Sequence, residues 1–227
     1  MRPIHLSILI PFYEKIDFLT RCLVSIKAAL ERAKMIEDFE ILLINDSPSI
    51  LQESLQENLD RNFNGFFLKR IKIRTNPENY GVAISRNIGL DYATGEYIHI
   101  IDQDDEIALD FYLLSIQALK SADWVLTNGY FVNNNLKRKH LIYYLKPSLL
   151  IDNFILDDFV RSPGQVVFKQ SLIGDCRFVK PIKYKGADDR FFWILMYALN
   201  PNMKLVYLSS PLYIAHLHKE NFSHDSQ

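Results

Sequence analysis

Residues 97–105, Tyr97-Ile98-His99-Ile100-Ile101-Asp102-Gln103-Asp104-Asp105, decide how the chain is read. A mostly apolar run rich in isoleucine stops at three carboxylates within four positions. Such a run, bounded by polar residues, is the pattern of a strand buried on both faces. If the backbone stays extended, Asp102 and Asp104 are expected on the same side. Three adjacent negative charges repel one another. Folding must raise a carboxyl pKa or recruit a cation that prefers oxygen ligands. The alternative is a solvated strand end whose acids cap the next helix.

Upstream, the same alternation of elements repeats. His5 to Ile10 reads as a buried strand ending at Pro11, and Ile16, Leu19, Leu23, Ile26 and Leu30 recur at helical spacing. Phe39 to Ile44 is a second strand, ending in Asn45-Asp46-Ser47-Pro48, and Leu51, Leu55 and Leu59 mark a second helix. Phe67 to Arg74 alternates apolar with basic residues and predicts a strand near the sheet edge. Gly81 to Ala93 is helical again, stopped by Thr94-Gly95. Strand and helix in strict alternation predict a doubly wound α/β fold: a mixed, mostly parallel sheet with helices on both faces. Ligands of such sheets bind beyond the carboxyl ends of the strands. Here those ends carry Pro11-Phe12-Tyr13-Glu14, Asn45-Asp46-Ser47 and Asp102 to Asp105. Neither a Gly-x-Gly-x-x-Gly nor a Gly-Lys-Ser/Thr loop occurs, which counts against NAD enzymes and P-loop kinases and leaves a metal to handle any diphosphate.

The 227 residues, 48% of them hydrophobic and 13% aromatic, suffice for a sizeable core. A net charge of -1 gives no reason to expect nucleic acid as a partner. Its distribution is uneven. Residues 1–110 hold 12 Lys+Arg against 18 Asp+Glu, and residues 111–227 hold 14 against 9. The first part is thus suited to a cation and the second to an anionic ligand. Cys22 and Cys176 lie in no metal-type spacing and read as buried thiols of a reducing compartment. The N-terminus reads as a strand and not as a signal peptide, and no stretch approaches the ~20 apolar residues that span a bilayer.

Beyond residue 108 the order is less regular. A helix over Leu109–Leu119 and a strand over Trp124–Val132 precede an Asn-rich turn at 133–135. Lys137-Arg138-Lys139-His140 is followed by Leu141-Ile142-Tyr143-Tyr144-Leu145 and Leu149-Leu150-Ile151. This is either a surface for a lipid-linked acceptor or anionic membrane, or a basic turn leading into a core helix or strand. A strand at Gln165–Phe168, a helix at Asp188–Leu199 and short strands at Lys204–Leu208 and Leu212–Ile214 complete the reading. With no repeat and no linker, the chain is expected to form one domain, 1–227, with functional halves 1–108 and 109–227.

Several stretches together resemble the family two glycosyltransferases of the GT-A fold, which move a sugar from a nucleotide diphosphate to an acceptor. Ser7 to Glu14 is similar to the family's opening strand, with Glu14 in place of the common Asn. Ile44-Asn45-Asp46-Ser47 resembles Val-Asp-Asp-Gly-Ser, with Asn45 and Ser47 departing from it. Asn79-Tyr80-Gly81, Ser85-Arg86-Asn87-Ile88-Gly89 and Thr94-Gly95-Glu96-Tyr97-Ile98 match most closely, and Asp102-Gln103-Asp104-Asp105 is similar to the Asp-x-Asp motif.

The resemblance implies a donor-binding set of Pro11, Tyr13, Glu14, Asp46, Arg86 and Asp102. Asp46 would meet the base, and Asp102 the ribose or a metal-bound water. Arg86 would pair with a phosphate or with the acidic cluster. It further implies Mn²⁺ or Mg²⁺ on Asp104, with Asp105 in the same shell and His216 as a further ligand. Gly186-Ala187-Asp188-Asp189-Arg190-Phe191-Phe192-Trp193 resembles the family's acidic pair before an aromatic helix. Asp188, ahead of Asp189, is therefore the expected catalytic base. Pro163-Gly164-Gln165 is placed in an acceptor loop by position alone. The implied partners are a nucleotide-diphospho-sugar, UDP-linked by preference, and a glycan or lipid-linked acceptor. The implied setting is cytoplasmic, with peripheral association at the inner membrane face left open. The alternatives are a non-catalytic nucleotide-sugar-binding module and a nucleotidyltransferase, the latter lacking its usual glycine-rich loop here.

Overall fold

The structure, a computed structural model, describes residues 5–35, 37–133, 137–150, 159–180 and 187–217. Strands β1 (Leu6–Phe12), β2 (Phe39–Asn45), β3 (Ile71–Thr75) and β4 (Tyr97–Ile100) pair in parallel in the order β3-β2-β1-β4. Between them run α1 (Ile16–Arg32), α2 (Gln52–Asn62), α3 (Gly65–Lys69) and α4 (Val82–Tyr92). The chain continues through β5 (Glu106–Ile107), α5 (Phe111–Leu119), β6 (Trp124–Asn133), β7 (Arg138–Leu141), β8 (Val166–Lys169), α6 (Ala187–Leu199) and β9 (Leu205–His216). Among the described residues all nine strands join one sheet, in the order β3-β2-β1-β4-β8-β6-β9-β5, with β7 on β6. One mixed sheet therefore runs through both halves of the chain.

The apolar runs fold this way because both faces of the sheet are covered. Along β1, Leu6, Ile8, Ile10 and Phe12 enter a core shared with α1, α2 and α5. Leu9 points the other way, into a core shared with α4 and α6. Pro11 lies inside β1 and does not end it, as the sequence had suggested. Its missing N–H is tolerated because pairing with β4 has stopped at Leu9–Ile100, so only β2 borders it.

Three elements differ from expectation. Phe67 belongs to α3, where it packs on Phe39 and Phe63, and the edge strand begins only at Ile71. The two C-terminal strands are one, β9, whose pairing with β6 continues across a bulge at Thr127–Gly129. The acids after β4 do not continue the strand. Asp102 to Asp104 lie in a turn closed by Asp105 N donating to Asp102 O at 3.2 Å, so strand alternation does not set their directions. The Asn-rich turn lies largely outside the described residues, as do Ile151 and Gly186.

Strand direction fixes what shares an edge. β8 is antiparallel to β4 and β6 is antiparallel to β8, so β6 points the same way as β1 to β4. The end of β6 and the β6–β7 hairpin therefore extend from the edge that carries Glu14, Asp46 and Asp102. Among the described residues, no helix is long and apolar enough to cross a membrane.

Candidate active site

The loops after β1 and β4 meet where the strand order reverses, the usual ligand position of an open α/β sheet. Gln103 closes the contact: its side chain accepts from Tyr13 N and donates to Tyr13 O, both at 2.7 Å. On the other side, α1 holds the acidic turn. Arg21 Nη2 donates to Asp104 O at 2.6 Å, and the Cys22 thiol lies 3.8 Å from Asp102 O. The backbone of the turn is thus fixed independently of its carboxylates.

Arg86 lies at the centre of the site. It is 5% exposed, on the second turn of α4, and its guanidinium forks between the two halves of the chain. Nη2 donates to Asp102 Oδ1 and Nη1 to Asp188 Oδ2, each at 2.8 Å. Burial opposes its charge, but Asp102, Asp188 and Asp189 outweigh burial and raise its pKa above the ordinary arginine value. Phe178 lies against the guanidinium at 5.2 Å and stacks on Phe192 of α6 at 4.0 Å. The neighbouring Asn87 accepts from Phe178 N and donates to Phe178 O, both at 2.8 Å. The pair Arg86-Asn87 therefore attaches the segment around Phe178 and the start of α6 to the Asp102 turn.

The acidic pair at the start of α6 divides. Asp188 is 3% exposed and faces Arg86, whereas Asp189 Oδ1 accepts from Arg190 N at 2.8 Å and is only partly buried. Of the two, Asp188 is the one brought to the Asp102 side.

Asp105 is placed otherwise than expected. It is turned inward, where its oxygens accept from the Tyr213 hydroxyl and, at 2.9 Å, from His216 N. Burial, with Asp104 and Asp102 adding to it, holds its pKa well above the ordinary value. Tyr213 also meets Ser162 Oγ at 2.7 Å, so Asp105 fastens β9 to the turn rather than joining Asp104. His216 Nε2 lies 2.7 Å from Glu106 Oε1, which also pairs with Arg21 Nε at 3.1 Å.

Asp46 is also differently engaged. It accepts from Asn76 Nδ2 at 2.7 Å, Tyr80 N at 2.9 Å and Gly81 N at 2.7 Å. This shapes the turn that starts α4, where Gly81 takes a φ of 88° that a side chain would strain. Tyr13 and Glu14 are exposed beside it, with Glu14 N donating to Ser47 Oγ at 2.7 Å. Pro163-Gly164-Gln165 is buried and so does not line an open loop. A Cβ on Gly164 would stand 2.5 Å from the Tyr213 ring.

Two buried groups escaped the sequence reading. His99 donates from Nε2 to Gly164 O at 3.0 Å, which leaves Nδ1 to accept from the Tyr112 hydroxyl at 2.9 Å. Glu40 is fully buried within an apolar strand and engaged by Ser7, Lys72 and Thr94. The only signal for either was a polar residue inside a hydrophobic run.

For a divalent cation the candidate donors are hard carboxylate oxygens at the turn, those of Asp104 and of the partly exposed Asp102, whose Oδ1 also pairs with Arg86. Among the described residues, no three His, Cys, Asp or Glu side chains converge on one point. That set suits a Mg²⁺-like ion that takes one or two protein carboxylates and completes its shell with phosphate oxygens, and it does not suit a closed protein cage.

The mixed sheet with its polar carboxyl edge is the GT-A arrangement, and solved structures share it. Staphylococcus aureus TarS 1-349 in complex with UDP-GlcNAc superposes with a TM-score of 0.70 at 18% identity, over 98% of this chain and 61% of that one. A Pyrobaculum calidifontis mannosyltransferase in complex with GDP-Man and Mn²⁺ gives 0.62 at 16% identity, over 98% and 59%. Residues 7–176 match the family described as Glycosyl transferase family 2, and the chain belongs to it. Among curated relatives, a poly(ribitol-phosphate) beta-glucosyltransferase of Bacillus spizizenii is 27% identical over 85% of this chain and 29% of its own length. The chain thus spans less than a third of that relative. The family match ends before Asp188, whose place rests on the geometry at Arg86.

Proposed function

We propose that this chain is an inverting, divalent-cation-dependent glycosyltransferase that moves a sugar from a nucleotide-diphospho-sugar to an acceptor hydroxyl in the assembly of a cell-surface polysaccharide or other glycan. The observation that carries this reading is the single guanidinium joining Asp102, beside the Asp-x-Asp turn, to Asp188 at the start of a helix in the other half. Two acids with distinct duties are thereby held on one strand edge. The complex of TarS with UDP-GlcNAc favours a UDP-linked donor.

In this reading Tyr13, Glu14 and the Asp46-shaped turn border the nucleotide, and Arg86 keeps Asp102 directed at its diphosphate. Asp104, with Asp102, would hold Mn²⁺ or Mg²⁺, which would neutralise the negative charge that grows on the departing diphosphate. Asp188 takes the proton from the acceptor hydroxyl, which attacks from the face opposite the leaving group and so inverts the anomeric centre. Arg86 positions Asp188 without touching the acceptor. Asp105 serves as a strut behind the turn. The acceptor is a glycan or lipid-linked hydroxyl presented at the cytoplasmic face of a membrane.

A panel of nucleotide-diphospho-sugars incubated with Mn²⁺ or Mg²⁺ tests the reading without knowledge of the acceptor. Release of nucleoside diphosphate from at least one donor, abolished by chelation, is expected. Failure to cleave any donor, together with no binding of any nucleoside diphosphate, would overturn it.

A further inference from the structure

From Trp124 to Ile151 the chain contains no Asp or Glu, but it carries Lys137, Arg138, Lys139 and Lys146. The structure places the first three together on the outer β7 strand and the residue before it, all exposed. Lys139 Nζ lies 3.8 Å from the Tyr130 ring centroid, and no ion pair involves Lys137, Arg138 or Lys146 among the described residues. Of the apolar run that follows, Leu141 ends β7, and Ile142, Tyr143 and Leu149 pack against the core. Tyr143 turns in: the Asn128 side-chain amide donates to its carbonyl at 3.0 Å and its hydroxyl donates to Phe159 O, while Tyr144 is 77% and Leu145 85% exposed. Unpaired cations beside a bare aromatic and a bare aliphatic side chain are the composition of a surface that meets anionic lipid headgroups and inserts shallowly between them.

We propose that the β6–β7 hairpin and the adjoining Tyr144-Leu145 segment dock this chain on an anionic lipid bilayer. The fold gives the docking a purpose. β6 points in the same direction as β4, so the hairpin extends from the sheet edge that bears Asp102 and Asp104. Tyr130 and Phe131, at its root, pair with Ile214 and Ala215 of β9, and Ile214 in turn pairs with Glu106 just past the acidic turn. A bilayer held by the hairpin therefore lies toward the candidate site. On the glycosyltransferase reading, an acceptor anchored in that bilayer is delivered to Asp188 from the membrane side. A soluble polyanion would account for the cations but not for the exposure of Leu145.

The test is co-sedimentation of the intact chain with phosphatidylcholine vesicles, with and without phosphatidylglycerol. Binding to the phosphatidylglycerol vesicles alone, weakened by raised salt, is expected. The triple variant Lys137→Glu, Arg138→Glu, Lys139→Glu should lose at least about a hundredfold in partitioning, at roughly fivefold per cation near an anionic surface. Leu145→Ser should weaken binding while leaving its salt dependence unchanged. Equal sedimentation of the triple variant, no preference for phosphatidylglycerol, or binding of inorganic polyphosphate with no effect of Leu145→Ser would each overturn the proposal. Donor hydrolysis in solution, measured on the same variants, should match the unmodified chain. A docking failure with intact hydrolysis is thus distinguishable from failure of the catalytic reading.

Discussion

A guanidinium 5% exposed and shared by carboxylates from two halves of the chain is costly to disturb in either direction. Removing a buried charge strands its partner, whereas removing both can be nearly neutral. Arg86→Met should therefore destabilise the fold by about 3–5 kcal/mol, and adding Asp188→Asn to that variant should recover part of the loss. Urea unfolding of the two single variants and the double variant measures the recovery; strict additivity would remove the ion pair as the cause. At this scale the sequence was legible in residue type and illegible in direction. Asp104 and Asp105 are adjacent acids, yet one lies at the turn and the other is turned toward Tyr213, because the strand ends at Ile100 and alternation ceases to apply. Asp46 was likewise recognisable as a site residue, but not its use of both oxygens to shape the turn before α4.

His99 links three elements: β4 through its own backbone, α5 through Tyr112, and the turn at Pro163–Gln165 through Gly164. Burial lowers its pKa from 6.5 to about 4, with the Gly164 carbonyl only partly offsetting burial. The folded state thus binds a proton less readily than the unfolded chain. The stability this group contributes is present above pH 6.5 and is lost as the pH falls toward 4, on the order of 3 kcal/mol. Asp105 acts in the opposite sense, since its raised pKa favours the folded state at low pH. The difference in urea midpoint between the unmodified chain and His99→Gln isolates the histidine, and it should narrow as the pH drops from 7 to 4. A constant difference would refute the assignment.

β9 invites a second test at the element scale. Tyr213→Phe removes the hydroxyl between Asp105 and Ser162 and should cost about 1–3 kcal/mol in the same assay. An unchanged midpoint would mean that this hydroxyl does not fasten β9 to the turn. The first four strands were legible because parallel strands covered on both faces read as apolar runs. β9 was not, because Ser209-Ser210-Pro211 looks like a turn between two strands while the pairing with β6 resumes at Pro211. β5, two residues long, carries too short a pattern to recognise.

Across the whole molecule, one sheet holds an acidic turn and a distant acidic helix start on a common edge, and a basic hairpin extends from that edge. The charge asymmetry between residues 1–110 and 111–227 anticipated this arrangement, since the acids cluster after β4 and the cations on β7. What composition and periodicity lacked was the long-range contact: nothing in the spacing of residues 86, 102 and 188 indicates that one arginine spans both acids.

The division of labour between those acids is the central claim. Calorimetric titration of UDP with Mn²⁺, paired with donor turnover, tests it on Asp104→Ala and Asp188→Asn. Asp188→Asn should bind with unchanged affinity and lose turnover by at least about a hundredfold, while Asp104→Ala should lose the cation-dependent part of binding. Turnover by Asp188→Asn at the rate of the unmodified chain, or cation-dependent binding that survives in Asp104→Ala, would contradict the account.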